Sequence, residues 1–348
     1  MHRGHGEEGG LTLLTSQSVI RVDAQVATPW LGRLAAPAQA ERFARWFTRS
    51  FYLDLGHRCN QSCRYCFQEK SGVQFTDIEV LEGQISAASA LGLKTAVLIG
   101  GEPLIYPDLE TVISQLRREG CQWGVMSNGL VLAEAERLER LVVQGLGFCQ
   151  LSLDSPDPAV QNDLARNPHL FRKLREALGH FGRHPEIPLV LNAVVTRRNV
   201  EQLTALVHYV DALRGELGIR PYVTLTHAKP HGAMPGKLMV SATAAAAAVA
   251  QAVREGRRLG LPVFFRNLPF CLVDGLERWS TDWFTRLVTL DSTGESVGAA
   301  IEGETRKNGR CLLCVHYETC PGFLVGYADR FGNREFQPVE RLSEESAG

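Results

Sequence analysis

The sequence predicts an α/β fold, and three observations carry that reading. Short apolar runs rich in Val, Ile, Leu and aromatics recur between residues 51 and 226, as strands buried on both faces require. Stretches with helical spacing separate them. The regular alternation of the two makes βαβ units, which means parallel strands joined by crossovers of one hand. Six such units are too few to close an eightfold barrel, so an open partial barrel or a doubly wound sheet is expected.

Residues 1–17 are small and polar and read as a mobile tail. A strand is expected at 18–26, then a helix at 37–47 with Phe43, Ala44 and Phe47 on one face. The core strands fall at 51–55, 95–99, 123–126, 148–153, 189–195 and 222–226. Helices fall between them at 77–91, 109–119, 133–144, 157–180 and 200–213. A Gly/Pro-rich loop, HAKPHGAMPG, leads to an Ala-rich helix at 241–258 and a Pro-bounded strand at 262–265. Beyond Pro269 the alternation stops. The chain of 348 residues, at about 150 residues per domain, divides into an extension (1–50), a core (51–235), a linker helix (236–261) and a C-terminal region (262–348).

Hydrophobic residues make up 45% of the chain and charged ones 22%, enough apolar surface for a sizeable core. Thirty-seven basic residues against 38 acidic ones supply no overall pull toward nucleic acid or an anionic membrane. The longest nearly pure apolar run, 244–250, is far too short to span a bilayer. The opening MHRGHGEEGG has no apolar stretch behind it, so a soluble, cytoplasmic protein is expected. Nine cysteines, seven of them in two tight groups, do not resemble a disulfide framework in a reducing compartment. Clustered thiols there point to metal.

The first group, LDLGHRCNQSCRYCF, sets Cys59, Cys63 and Cys66 at C-x3-C-x2-C spacing directly after a strand. Three thiolates on one short loop can hold three irons of a cubane cluster and leave the fourth without a protein ligand. An open coordination site is where metal chemistry happens. Zinc fits poorly, because its cysteine sites draw on four ligands and more even spacing. On these residues the chain resembles the radical S-adenosylmethionine (SAM) enzymes, with Tyr65 at the aromatic position of C-x3-C-x-aromatic-C. The resemblance implies a partial (βα)6 TIM-like barrel whose [4Fe-4S] cluster binds SAM through the open iron. One electron then splits SAM to methionine and a 5′-deoxyadenosyl radical that takes hydrogen from a substrate, the protein supplying binding and orientation.

One βα unit later the strand TAVLIGGEP ends in Gly100, Gly101 and Glu102. Two glycines let backbone approach a ligand closely, and Glu102 can accept hydrogen bonds from a ligand ammonium. These residues resemble the family's GGE motif, which holds the methionine amino group of SAM. Later strand ends carry Ser127 and Asn128, then Ser152 and Asp154, with Asn192 inside the fifth strand. The same residue types make turns and caps. Their place at the C-terminal strand ends is where parallel α/β folds put active sites. In related enzymes such positions contact the SAM carboxylate and ribose, so Asn128, Ser152, Asp154 and Asn192 join Tyr65 and Gly100–Glu102 as candidate cofactor contacts. His227 and Lys229 share that edge and face either substrate or solvent. His57 and Arg58 are surface-loop residues beside the first cysteine, Cys121 and Cys149 are small buried hydrophobes, and Trp279 and Trp283 are packing residues.

The second group comprises Cys271 and, at C-x2-C-x5-C spacing, Cys311, Cys314 and Cys320. Four thiolates close one zinc site or ligate one complete iron–sulfur cluster. The stretch resembles the centre of the SPASM extension of radical SAM maturases. Leu324 stands where a further SPASM cysteine belongs, so the likeness is to the shorter α+β twitch domain with a single auxiliary [4Fe-4S] cluster. Such a cluster, fully ligated, suits electron transfer.

The function these residues imply is reductive SAM cleavage followed by hydrogen abstraction, in peptide or protein maturation or natural-product modification. An electron donor such as flavodoxin or ferredoxin is implied as partner, and no basic stripe calls for nucleic acid. Two other readings stand beside it. One is a radical SAM dehydrogenase, epimerase or decarboxylase of a small metabolite, such as a sugar, aminoglycoside or cofactor precursor. The other is a non-catalytic zinc-binding interaction module. No residue is singled out as catalytic acid or base.

Overall fold

The computed structural model describes residues 11–15, 18–22, 50–66, 68, 74–230, 236–283, 288–290 and 305–340. The expected helix at 37–47 lies outside them. Near the N-terminus β1 (Leu11–Thr15) and β2 (Ser18–Val22) pair antiparallel, Leu11 opposite Val22. Residues 11–15 are thus a strand rather than part of a tail, and the LTLLT run supplies the apolar, β-branched composition that this takes.

The core is one open sheet of eight parallel strands, in which the strand nearest the C-terminus (288–290) lies at one edge and the other seven follow in chain order. Its members are β3 (Ser50–Asp54), β4 (Thr95–Ile99), β5 (Gln122–Ser127), β6 (Leu146–Ser152), β7 (Leu189–Val195), β8 (Pro221–His227), β9 (Val263–Arg266) and β10 (Val288–Leu290). The six strands expected between 51 and 226 are all present and in sequence order. Two more complete the sheet. The Pro-bounded strand expected to open the C-terminal region pairs with β8, Thr224 opposite Phe264. At the other edge β10 pairs with β3, Val288 opposite Phe51, and its three residues are too short a run to stand out in the sequence.

Crossover helices α1 (Ile78–Ala90), α2 (Leu109–Arg118), α3 (Ala135–Val143), α4 (Pro158–Ala165), α5 (Leu170–Phe181) and α6 (Leu203–Leu217) connect successive strands. The single helix expected over 157–180 is two. Arg166 takes a left-handed φ of 52° and Pro168 follows, and a proline cannot continue the ladder. Phe51, Leu53, Ala96, Leu98, Leu151 and Leu191 point to the helix layer and are fully or almost fully buried. Alternate residues Tyr52, Val97, Phe148, Val190, Tyr222 and Phe264 cluster on the opposite face.

The Ala-rich helix α7 (Ala242–Leu259) is capped by Ser241, whose hydroxyl accepts from Ala244 N at 3.3 Å, and it ends at Gly260 in the left-handed region. A small C-terminal unit leans on its first turn. There β11 (Thr305–Arg306) and β12 (Phe323–Leu324) pair antiparallel, and α8 (Tyr327–Phe331) follows. Glu335 Oε2 accepts from Thr243 N at 2.8 Å, and Ala242 N donates to Tyr327 Oη at 2.6 Å. Among the described residues no helix is long and apolar enough to cross a membrane.

Candidate active site

The C-terminal ends of β3 to β7 meet at one edge, and the residues singled out around the first cysteine group stand there. β3 runs directly into the loop of Cys59, Cys63 and Cys66, all half-buried. Hydrogen bonds fix that loop at both ends. At its start Gly56 N donates to Asp54 Oδ1 at 2.9 Å, and Arg58 N donates to Gln74 O at 2.8 Å. At its far end the Arg64 guanidinium pairs with Asp163 Oδ1 at 2.7 Å, and Arg64 N donates to Leu164 O at 2.8 Å. The loop is thereby tied to α4.

The glycines after β4 add a third anchor. Gly101 N donates to Gly56 O at 2.7 Å and Glu102 N to Arg58 O at 2.9 Å. A Cβ at Gly101 would stand 2.3 Å from Arg58 O and 2.5 Å from His57 O. Gly100, at φ 145°, has its would-be Cβ 2.6 Å from Gly56 O. The close approach expected of these two glycines is realised against the cysteine loop itself.

Two polar networks follow. Glu102, 2% exposed, accepts at Oε1 from Ser127 Oγ (2.8 Å) and Leu104 N (3.1 Å), and at Oε2 from Asn128 N (2.7 Å). Burial pushes its carboxyl up to about 7, with these hydrogen bonds opposing. Asn128 continues the chain, donating to Asn60 Oδ1 at 2.7 Å with the same nitrogen 3.8 Å from Cys59 Sγ. In the second network the Tyr65 hydroxyl donates to Asp154 Oδ2 at 2.6 Å, and Val194 N donates to Asp154 Oδ1 at 2.9 Å. Burial pushes the Asp154 carboxyl up to about 6. Asp154 thus accepts from protein groups with both oxygens and positions Tyr65, the residue between Cys63 and Cys66. Ser152 and Asn192 lie opposite each other in register on the face away from the crossover helices, where Thr226 Oγ1 donates to Asn192 Oδ1 at 2.7 Å.

Two of the thiols are raised by their shared surroundings. Cys63 is pushed up to about 12, by burial first and then by the charges of Asp154, Cys59 and Cys66. Cys59 is raised by burial, with Glu102 and Cys66 adding and hydrogen bonds from Gln61 and Asn128 opposing.

The second group gathers in the C-terminal unit. Cys271 is pushed up to about 12 by burial, then by Cys320, Cys314 and Cys311, so the other three thiols lie near enough to act on it. Amide groups already point at two of them: Phe270 N and Gly322 N each donate to Cys320 Sγ at 3.4 Å, and Val339 N to Cys314 Sγ at 3.4 Å. Among the described residues the one group of three candidate ligand atoms all within 4.8 Å is Asp274, Glu277 and His316. Both cysteine groups are set wider.

Other expectations resolve simply. Cys121 and Cys149 are buried, at 5% and 0% exposure. His227 faces neither substrate nor solvent; it is buried with Nε2 3.1 Å from Val240 O, and burial lowers its pKa. Trp279 packs on Phe264, while the Trp283 side chain lies outside the described residues. Asp163, Gln161 and Asn199 escaped the sequence reading. Gln161 Oε1 accepts from Asp154 N at 2.7 Å, and Asn199 Nδ2 donates to Asp154 O at 2.7 Å. Each serves a residue on another element, and only an Asn, Gln or Asp beside a helix start marks it in the sequence.

Residues 53–210 match the radical SAM superfamily, a span that includes the first cysteine group and excludes the second. Molybdenum cofactor biosynthesis protein 1 of Bos taurus is 35% identical over 202 residues, covering 53% of this chain and 30% of that protein. PqqA peptide cyclase of Xanthomonas campestris pv. campestris is 29% identical over 161 residues, covering 45% of this chain and 42% of that one. The chain thus spans less than half the length of these curated relatives. In fold it is similar to Streptococcus suis SuiB bound to S-adenosylmethionine (TM-score 0.60, 14% identity, 84% of this chain and 76% of that chain). It is likewise similar to native anSMEcpe with bound AdoMet and Cp18Cys peptide (TM-score 0.59, 15% identity, 84% and 92%). The match to the radical SAM superfamily thus rests on residues 53–210, which carry the three-cysteine loop and the Gly-Gly-Glu turn.

Proposed function

We propose that this chain is a radical SAM enzyme acting on a peptide, with Cys59, Cys63 and Cys66 holding a [4Fe-4S] cluster and Gly100–Glu102, Asn128, Ser152 and Asn192 framing SAM. The observation that carries it is the loop itself: three half-buried thiols after β3, clamped by backbone bonds from Gly101 and Glu102. The donor set fits the cluster. Zinc would need sulfurs roughly 3.8 Å apart across a tetrahedron with 2.3 Å bonds. Three thiols leave a closed zinc site one ligand short, whereas they suffice for three irons of a cubane with the fourth iron open. The cluster and SAM, when bound, supply reductive carbon–sulfur cleavage and the radical that takes hydrogen from substrate. The chain's own residues orient them: Asn128 next to Cys59, Asp154 through Tyr65, and the Glu102 carboxylate toward the SAM ammonium. Incubation of reduced protein with SAM should yield 5′-deoxyadenosine and methionine. A fully iron-loaded protein that yields neither would defeat the reading.

A peptide substrate is supported by the named activities and ligands of similar proteins, PqqA peptide cyclase and peptide-bound anSMEcpe. Likeness to molybdenum cofactor biosynthesis protein 1 favours the second reading, a cofactor precursor. A short precursor-peptide gene beside this one would separate the two. Flavodoxin or ferredoxin would serve as electron donor, in keeping with a cytoplasmic setting.

We assign Cys271, Cys311, Cys314 and Cys320 to an auxiliary [4Fe-4S] cluster in a twitch-like unit within 262–348, beyond the core (51–235) and linker helix (236–261). N–H···S bonds from Phe270, Gly322 and Val339 are the kind that tune such a cluster. Changing all four cysteines to Ala should lower iron from about eight to about four per chain and leave SAM cleavage in place. Loss of zinc with iron unchanged would reject the assignment.

The raised Glu102 carboxyl gives SAM binding a pH dependence. Protonation below about 7 removes the charge that the ligand ammonium needs, so the Kd for SAM should rise as pH falls from 8 to 6. The steepest slope one proton allows is about tenfold per pH unit. Equilibrium dialysis on loaded protein reads it, and Glu102→Gln should flatten the curve.

A further inference from the structure

The group of Asp274, Glu277 and His316 shares no residue with either cysteine group. Asp274 and Glu277 follow Cys271 in the chain, and His316 sits between Cys314 and Cys320. His316 Nε2 is 3.3 Å from Glu277 Oε1 and 3.5 Å from Asp274 Oδ1. Both lengths exceed the 2.7–3.2 Å of an ordinary N–H···O bond. The buried atoms His316 Nε2 and Asp274 Oδ1 make no hydrogen bond at all. A ring nitrogen carries at most one hydrogen, so one Nε2 can serve only one of two facing carboxylates. Leaving the rest unsatisfied in a site where His316 and Glu277 are each 6% exposed is costly.

A single cation would satisfy His316 Nε2 and Asp274 Oδ1 and draw on the second lone pair of Glu277 Oε1. With bonds of 2.0–2.2 Å to nitrogen and oxygen, a tetrahedral ion holds its ligands roughly 3.3–3.6 Å apart, a range that takes in both observed separations. The imidazole edge is fixed by the Phe270 ring, 5.9 Å away and at 89° to it. Glu277 Oε1 is held by Gly275 N at 2.7 Å. Asp274, with its side chain 32% exposed, stands at the solvent side and gives an ion its way in.

We propose that Asp274, Glu277 and His316 form a mononuclear divalent-cation site of the zinc class, distinct from both cysteine groups. One imidazole and two carboxylates suit a borderline ion, with water completing the tetrahedron. The ion would join the segment after Cys271 to the Cys314–Cys320 loop, crosslinking the C-terminal unit to the chain leaving the core sheet. The site does not depend on what the four thiols hold.

The test uses anaerobically purified holoenzyme with its iron in place, equilibrated with micromolar zinc and dialysed metal-free. About one zinc per chain should remain with iron and sulfide unchanged, and X-ray absorption at the zinc edge should show a nitrogen/oxygen shell near 2.0–2.2 Å. His316→Gln and Glu277→Gln should each lose that zinc and keep their iron. Zinc-free wild-type protein, zinc with sulfur neighbours alone, or full retention by iron-loaded His316→Gln would overturn the proposal. Should both variants fail to fold, the wild-type absorption spectrum decides alone. The cluster assignments stand or fall separately, on iron and sulfide.

Discussion

Cys63→Ala is expected to reduce 5′-deoxyadenosine formation to background. Cys63 is the middle thiol of the trio proposed to hold the cluster, and it is pushed up to about 12 by burial and by Asp154, Cys59 and Cys66. At neutral pH it is therefore a thiol in the free chain, and only a bound cation makes its thiolate stable. Removing it leaves two thiolates on the loop, too few to hold three irons. The loss should appear as missing cluster absorbance and iron, while the fold, whose core Cys63 only touches from the edge, should lose about 1 kcal/mol. Equal product from both proteins would reject the cluster site outright.

The second large effect is structural. Gly101→Ala should destabilise the protein by about 3 kcal/mol and prevent cluster loading. The new methyl would lie within 2.5 Å of two backbone carbonyls, His57 O and Arg58 O, which have no flexible end to swing aside. Relief requires the cysteine loop to move away, breaking the Gly101 N–Gly56 O and Glu102 N–Arg58 O bonds. Gly83→Ala is the contrasting case. Gly83 lies within α1 with nothing inside 4 Å of its would-be Cβ, and the change should stabilise by about 0.5–1 kcal/mol. Thermal unfolding reads both, and equal melting temperatures for the two variants would contradict the account.

These contrasts show what could be read before any coordinates. The parallel core was legible because strands such as TAVLI and LVLNAVV are buried on both faces and carry no polar alternation. The cysteine spacing was legible because one loop contains all three donors. The break between α4 and α5 was missed by weighing helical periodicity above Pro168. β10 was missed because three residues set no period. The contact of Gly101 with the cysteine loop is not legible, since a sequence does not say which backbone a glycine meets. The Asp274–Glu277–His316 group was invisible for a related reason: its members lie on two segments some forty residues apart.

The pairing of β10 with β3 has a result beyond completing the sheet. It turns the strand that delivers the cysteine loop from a border strand into an interior one, with β4 on its other side. A border strand frays, and a frayed β3 would let the donor trio drift apart before any iron arrived. Amide protons along Phe51–Leu53 should accordingly exchange with solvent about as slowly as those of the sheet's centre, even in metal-free protein. Cluster assembly would then start from donors already in place.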